Sequence, residues 1–153
     1  MLKKTFTLIL LLLLTSCGYE AIHSKKNSVN YDFSISELTF VGERNVNLKI
    51  KEKLNNYSLN KKDKDFILKI SSSSEKVVIA KNTSGDPTNF QSTIIVNVEV
   101  LMGDNFKNNF RFIEDFKYSN IKNKLDLKKY ENDIKNNLAE TITYKLVYKL
   151  SSI

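Results

Sequence analysis

The chain offers one thiol and one imidazole, Cys17 and His23, and no other residue of either kind. A single histidine cannot build a multi-histidine zinc site. His23 also lies ahead of the first patterned segment, which removes it as the base of a triad inside a fold. No Walker A sequence and no Gly-rich dinucleotide loop is present. Glu114 and Asp115 are adjacent, so on a strand they point to opposite faces and cannot act as a facing carboxylate pair. The residues therefore lack any recognisable pairing of nucleophile with base, and no metal or cofactor is expected. The one group that still calls for chemistry is Cys17, which has no disulfide partner in the chain.

The surroundings of Cys17 say what that chemistry is. Met1-Leu2-Lys3-Lys4 is a short basic segment, Phe6 to Leu14 is apolar, and Thr15-Ser16 are small residues just before the cysteine. This is the layout of a secretory signal peptide, and the apolar run falls short of the ~20 residues of a spanning helix. Leu14-Thr15-Ser16-Cys17 resembles the bacterial lipobox. That resemblance implies removal of residues 1–16, a thioether from Cys17 to diacylglycerol, and acylation (palmitate or a similar chain) of the new N-terminus. Two or more acyl chains hold a protein stably on a bilayer, where one holds it only marginally. Gly18, rather than an aspartate, follows the cysteine, which by the same resemblance implies the outer membrane, on its periplasmic face. The other reading is an uncleaved anchor, or an ordinary signal followed by an incidental cysteine.

With 41% hydrophobic and 27% charged residues among 153, the chain is globular in composition, which excludes disorder or collagen along its length and favours one domain. Removing the signal takes Lys3 and Lys4 and no acids, so the formal charge falls from +7 to +5. That excess suits anionic partners such as lipid phosphates, and export excludes nucleic acid.

The elements that must follow are read from periodicity. Residues 17–32 are polar and without period, a tether ahead of a domain at 33–153. Phe33 to Val41 reads as a strand with imperfect alternation: Phe33, Ile35 and Val41 on one face, Leu38 and Phe40 on the other. Arg44 to Tyr57 is a helix through Val46, Ile50, Leu54 and Tyr57. Phe66, Leu68 and Ile70 alternate, and Ser71 to Ser74 form either a bulge or the polar part of one long strand through Ile79. Gly85-Asp86-Pro87 marks a turn, with Pro87 arguing against a strand there. Phe90 to Met102 is the clearest strand, with Phe90, Ile94, Val96, Val98 and Val100 on one face. After a turn at Gly103-Asp104-Asn105, Phe110 to Tyr118 returns with Phe110, Phe112, Phe116 and Tyr118 on one face. Glu114 falls on that same apolar face, and a bulge, a strand end or a contact with a partner would each resolve it. Leu127, Tyr130, Ile134, Leu138, Ile142, Leu146 and Leu150 build a final helix from Asp126, its expected N-cap, to Ser151. Tyr144, Val147 and Tyr148 widen its apolar surface, as core or as a partner patch. The expected fold is an α+β two-layer sandwich, about four mostly antiparallel strands with two helices on one face, in the order β-α-β-β-β-α.

Behind a lipobox, this order resembles the LPS-assembly lipoprotein family LptE. Cys17-Gly18-Tyr19 is similar to the start of those chains. Phe40-Val41-Gly42-Glu43-Arg44-Asn45-Val46-Asn47 is similar to their junction of first strand and first helix. Tyr118-Ser119-Asn120, followed by Leu125 to Leu138, is similar to their last strand and terminal helix. The resemblance implies a protein that is not an enzyme. It would plug the outer-membrane β-barrel LptD, help it assemble, and contact lipopolysaccharide on its way to the cell surface. Lys81, Lys107 and Arg111 are the candidate lipopolysaccharide contacts, expected to converge at one end of the sheet; ordinary solvated charge is the alternative for each. Two other functions compete: a free lipid- or solute-binding lipoprotein, which would need a cavity that the bulky Phe90, Phe110, Phe112 and Phe116 argue against, and a periplasmic hydrolase.

Overall fold

Phe33–Gly42 forms strand β1, and its imperfect alternation has a structural cause. In this computed structural model, which describes residues 31–103 and 105–153, β1 lies parallel to β2 (Lys64–Lys81), and the register slips between Ile35 and Glu37. The extra residue of this bulge resets the side-chain parity. Phe33 and Ile35 are buried before it, and Leu38 and Phe40 pack against the same core after it, opposite Leu68 and Ile70. Val41 therefore points away from the core and is exposed, which corrects the face assigned to it from simple alternation. The signal segment, Cys17, Gly18, His23 and the tether as far as Asn30 lie outside the described residues. Among the described residues, the ring of Tyr31 packs on Phe33 and Tyr57.

Strand β1 crosses to β2 through helix α1 (Arg44–Leu54), which buries Val46, Asn47, Ile50 and Leu54 and runs into a short 3-10 turn at Asn55–Tyr57. The serine run is the middle of one continuous strand, not a break. Strands β3 (Pro87–Met102) and β4 (Asn105–Ser119) complete a sheet of order β1-β2-β3-β4, antiparallel after the first pair. β3 begins at Pro87 itself, the first position of a strand, where the missing N–H interrupts no continuing ladder. Helix α2 (Lys124–Ser151) starts two residues before Asp126; its N-cap is Asn123, whose side chain accepts from the backbone N–H of Leu125 at 2.9 Å.

The core lies between the helices and one face of the sheet. Phe66, Leu68, Ile70, Ile94, Val96, Val98 and Val100 meet Ile134, Leu138, Ile142, Leu146, Val147 and Leu150 of α2, with Val46, Ile50 and Leu54 of α1 beside them. Val147 thus belongs to the core, while Tyr144 and Tyr148 are exposed. Glu114 does face the helix layer, and its carboxylate pairs with Lys145 of α2, which explains a carboxylate on an otherwise apolar face. Phe116 shares that face yet remains exposed. No helix among the described residues is long and apolar enough to cross a membrane.

Candidate functional site

The sheet face opposite the helices carries no covering layer among the described residues, and the site is built there. Ladder register sets its rows. Thr39, Lys69, Glu99 and Asn109 form one; Val41, Ser71, Asn97 and Arg111 form the next; Ser73, Ile95 and Ile113 follow, then Glu75, Thr93 and Asp115. The first two rows line a depression of ≈ 540 Å³ that is bordered by Ile70 and Phe110 as well. Val41 at 66% and Ile113 at 52% exposure supply bare apolar surface in and beside it. Lys69 and Glu99 occupy directly opposed positions on β2 and β3. Arg111 is opposite Asn97 and has no ion pair or side-chain hydrogen bond among the described residues. A guanidinium with five donors, beside amides and methyl groups, suits an anion joined to apolar chains.

The junction at Val41-Gly42-Glu43 holds one wall of this depression in place. Gly42 has φ +103°, and a Cβ there would stand 1.9 Å from the backbone oxygen of Ser72. Only glycine lets β1 approach β2 so closely while turning into α1. The Glu43 N–H then donates to the Ser72 carbonyl at 3.1 Å, and the Glu43 carboxylate caps α1 by accepting from the Asn45 N–H at 3.4 Å. Asn47, buried on α1, donates to the Val41 carbonyl at 3.2 Å and accepts from the Ser72 hydroxyl at 2.7 Å. Ser74 donates to Glu43 at 3.0 Å, and Lys135 of α2 stands 3.9 Å from the same carboxylate. Alternate serines of the run therefore face the helix layer and tie it to the sheet. The stretch singled out in the sequence is a structural lock whose far side presents Val41 to the open face.

Two further polar clusters fix α2. Tyr118 donates to Glu131 at 2.9 Å; burial and then that hydrogen bond push its phenol far above the usual tyrosine range. Lys76 pairs with Glu131 and lies 4.0 Å over the ring of Phe90. Lys53 and Glu140 pair at 2.6 Å, and Tyr144 donates to Glu140 at 2.8 Å. The Lys53 hydrogen bond holds the Glu140 carboxyl below its usual value, and the same bond raises Lys53.

Of the three candidate contacts from the sequence, only Arg111 lies in the depression. Lys81 pairs opposite Pro87, beside the 82–86 turn, while Lys107 follows the Gly103 turn at the other end. Along β3 those ends are separated by roughly 45 Å, so the three do not converge. Successive hairpin turns fall at opposite ends of a sheet, and that alternation carries Lys81 and Lys107 apart. Lys69, which does join Arg111, was missed; its place on the polar side of an alternating strand was the available signal. Among the described residues no three His, Cys, Asp or Glu side chains are grouped to hold a metal.

No family model matches the chain, and no curated protein matches it in sequence. Its fold is nevertheless that of several solved structures. It is similar to a minor lipoprotein from Acinetobacter baumannii (TM-score 0.60, 9% identity, 80% of this chain and 92% of that one). The rare lipoprotein B from Shewanella oneidensis gives TM-score 0.55 at 10% identity, over 74% of this chain and 95% of the other. Lipoprotein B from Nitrosomonas europaea gives 0.53 at 11% identity, over 80% and 86%. At such identities the likeness is one of fold, and it spans nearly the whole of each neighbour.

Proposed function

We propose that this chain is an outer-membrane lipoprotein of the LptE type, acylated on Cys17, that assembles with and plugs an LptD-like β-barrel and assists lipopolysaccharide insertion at the cell surface. The observation that carries this reading is the shared β-α-β-β-β-α architecture with bacterial lipoproteins, found in a chain whose only cysteine follows Leu14-Thr15-Ser16. The physical character of the domain supports it. A sheet with one face open, polar at its edges and apolar at Val41, Ile95 and Ile113, suits a wet barrel lumen better than bulk water. The protein acts by binding rather than by catalysis. Arg111, with Lys69 beside it, is the site we assign to lipid A phosphate, and Lys81 and Lys107 lie outside it.

A free carrier of lipid or solute is the competing reading, and the depression on the open face is the surface it would use. The layer between sheet and helices is filled by Phe66, Ile94, Ile142 and their neighbours, so an apolar ligand has no room there. A photocrosslinking residue at Ile113 separates the two in living cells. Adducts with a single large, heat-modifiable β-barrel uphold the plug; adducts with lipid alone uphold the carrier. Incorporation of labelled palmitate that disappears in Cys17→Ala tests the anchor independently.

A further inference from the structure

Strand β1 stops at Gly42, opposite Ser72, while β2 runs on from Ser73 to Lys81. Beyond Ser72, β2 has β3 on one side and no strand on the other among the described residues. The Ser72 carbonyl accepts from the Glu43 N–H at 3.1 Å, so it faces the β1 side. Backbone groups alternate sides along a strand, and those of Ser74, Lys76 and Val78 therefore face the same, vacant side. The other end of the sheet agrees. The Thr88 carbonyl accepts from the Asn120 N–H on the β4 side at 2.7 Å, which turns the Gln91 backbone toward its partner Val77 and leaves that of Val78 pointing outward. A register slip between Val78 and Ala80 ends this regular stretch. Val77, Val78 and Ile79 are 39%, 44% and 43% exposed. On the outer strand β4, the charges of Arg111, Glu114, Asp115 and Lys117 interrupt the apolar residues and blunt the edge, but no charge stands from Val77 to Ala80.

A row of unpaired backbone donors and acceptors at two-residue spacing fits one kind of occupant, an extended strand. The segment of this chain ahead of β1 is too short to be that strand. β1 starts at Phe33 opposite Lys64, so the segment would have to run about 33 Å past β1 to reach Ser74. That takes ~10 of the fourteen residues from Cys17 to Asn30 and leaves too few to cover Ser74 to Val78. Val77 and Glu75 share the open face with Ser71 and Ser73, so this edge borders the surface that the plug reading turns toward the barrel. Enclosed by a partner, such backbone groups lose water and must be bonded. We infer that the β2 edge from Ser74 to Val78 binds an extended segment of the barrel partner as an added strand. Backbone hydrogen bonds supply the attachment. Val77 calls for an apolar residue across from it, and Glu75, which has no ion pair among the described residues, calls for a basic one. This contact rests on the plug reading above and gives it a place and a chemistry.

Val78→Pro removes one outward N–H and spares the ladder to β3, as proline does on edge strands. Val77→Lys places on the open edge the kind of charge with which native sheets prevent strand addition. Thr83→Pro is the control: Thr83 is the exposed second residue of the turn that the Gly85 N–H closes on the Asn82 carbonyl at 3.0 Å, a position where proline fits. Each variant is produced as the full tagged, lipidated chain beside a differently tagged parent copy, and extracted in detergent from its own membranes. Mass spectrometry then counts the barrel and the second copy recovered per chain. Thr83→Pro should keep the parental amount of barrel, while Val78→Pro and Val77→Lys keep about one fifth or less, the effect of losing a single ladder bond. Undiminished barrel with Val78→Pro overturns the added strand and leaves the plug standing. Absence of a barrel from the parent itself overturns the plug reading and the added strand together. A second copy retained by the parent and lost from Val78→Pro assigns the edge to self-pairing and overturns the inference as well. Far-UV circular dichroism and thermal unfolding verify the fold; if Val78→Pro does not fold, Val77→Lys, which leaves the β2 backbone intact, decides alone.

Discussion

Replacing Gly42 with alanine probes the lock between β1, α1 and β2. The new Cβ would stand 1.9 Å from the Ser72 carbonyl oxygen, where real contacts of this kind do not fall below 3.0 Å, so the two backbones must part by about 1 Å. The positive φ of +103° alone costs ~1–2 kcal/mol for a residue with a Cβ. Parting the backbones also weakens the Glu43-to-Ser72 backbone bond and the Ser72 hydroxyl bond to the Glu43 carbonyl, at ~1 kcal/mol each. The sum is about 3–4 kcal/mol, and for a domain of this size it lowers Tm by roughly 12–16 °C. Gly85→Ala isolates the conformational part, since Gly85 has φ +87° with nothing within 4 Å of an added Cβ. That variant should lose only ~1–2 kcal/mol. Urea and thermal unfolding of the purified chain, followed by circular dichroism, measures both. Equal losses in the two variants would refute the steric argument, and a Gly42→Ala protein as stable as the parent would refute the lock.

Three further outcomes follow from the same contacts. Phe66→Ala empties a fully buried position and should destabilise by ~3–5 kcal/mol in equilibrium unfolding. Glu140→Gln removes a carboxylate whose folded value lies below the ordinary 4.5; the stability it contributes is fully present above that value and is lost as pH falls through the lower folded value. The parent should therefore exceed the variant by ~0.5–1 kcal/mol at neutral pH, with the gap closing as the carboxylate is protonated in acid; a gap that stays constant as pH falls contradicts the pairing with Lys53. Arg111→Ala should weaken lipopolysaccharide binding about tenfold or more, the loss of one charged hydrogen bond, while Lys81→Ala and Lys107→Ala change it less. Surface-immobilised lipopolysaccharide gives the comparison, and equal effects of all three would return them to ordinary surface charge.

The strands and helices were legible because burial imposes its period on sequence. Phe90, Ile94, Val96, Val98 and Val100 face inward as their spacing demands, and the four-residue ladder of α2 is its buried stripe from Ile134 to Leu150. The errors arise where a backbone event breaks the period. One bulge after Ile35 moved Leu38 and Phe40 into the core and Val41 out, and no side chain nearby announces it. Asn123 took the capping role expected of Asp126: its side chain accepts from the N–H groups of Leu125 and Asp126, and Asp126 falls in the first turn as an acid instead. The site was less legible than the fold. Arg111 was singled out, but its neighbours in space, Thr39, Lys69 and Asn97, lie on three other strands and only the ladder register joins them. The Gly42-to-Asn47 stretch was recognised as a pattern before its reason, a close backbone crossing bonded to Ser72, was visible.

The central claim is that this domain lives inside a barrel. Detergent extraction of the tagged, lipidated protein from its own membranes, followed by affinity purification and mass spectrometry, tests it most directly. The account predicts one large β-barrel protein co-eluting in stoichiometric amount and surviving high-salt washes. Recovery of the chain alone, or with only a small apolar ligand, would contradict it and assign the open face to a carrier.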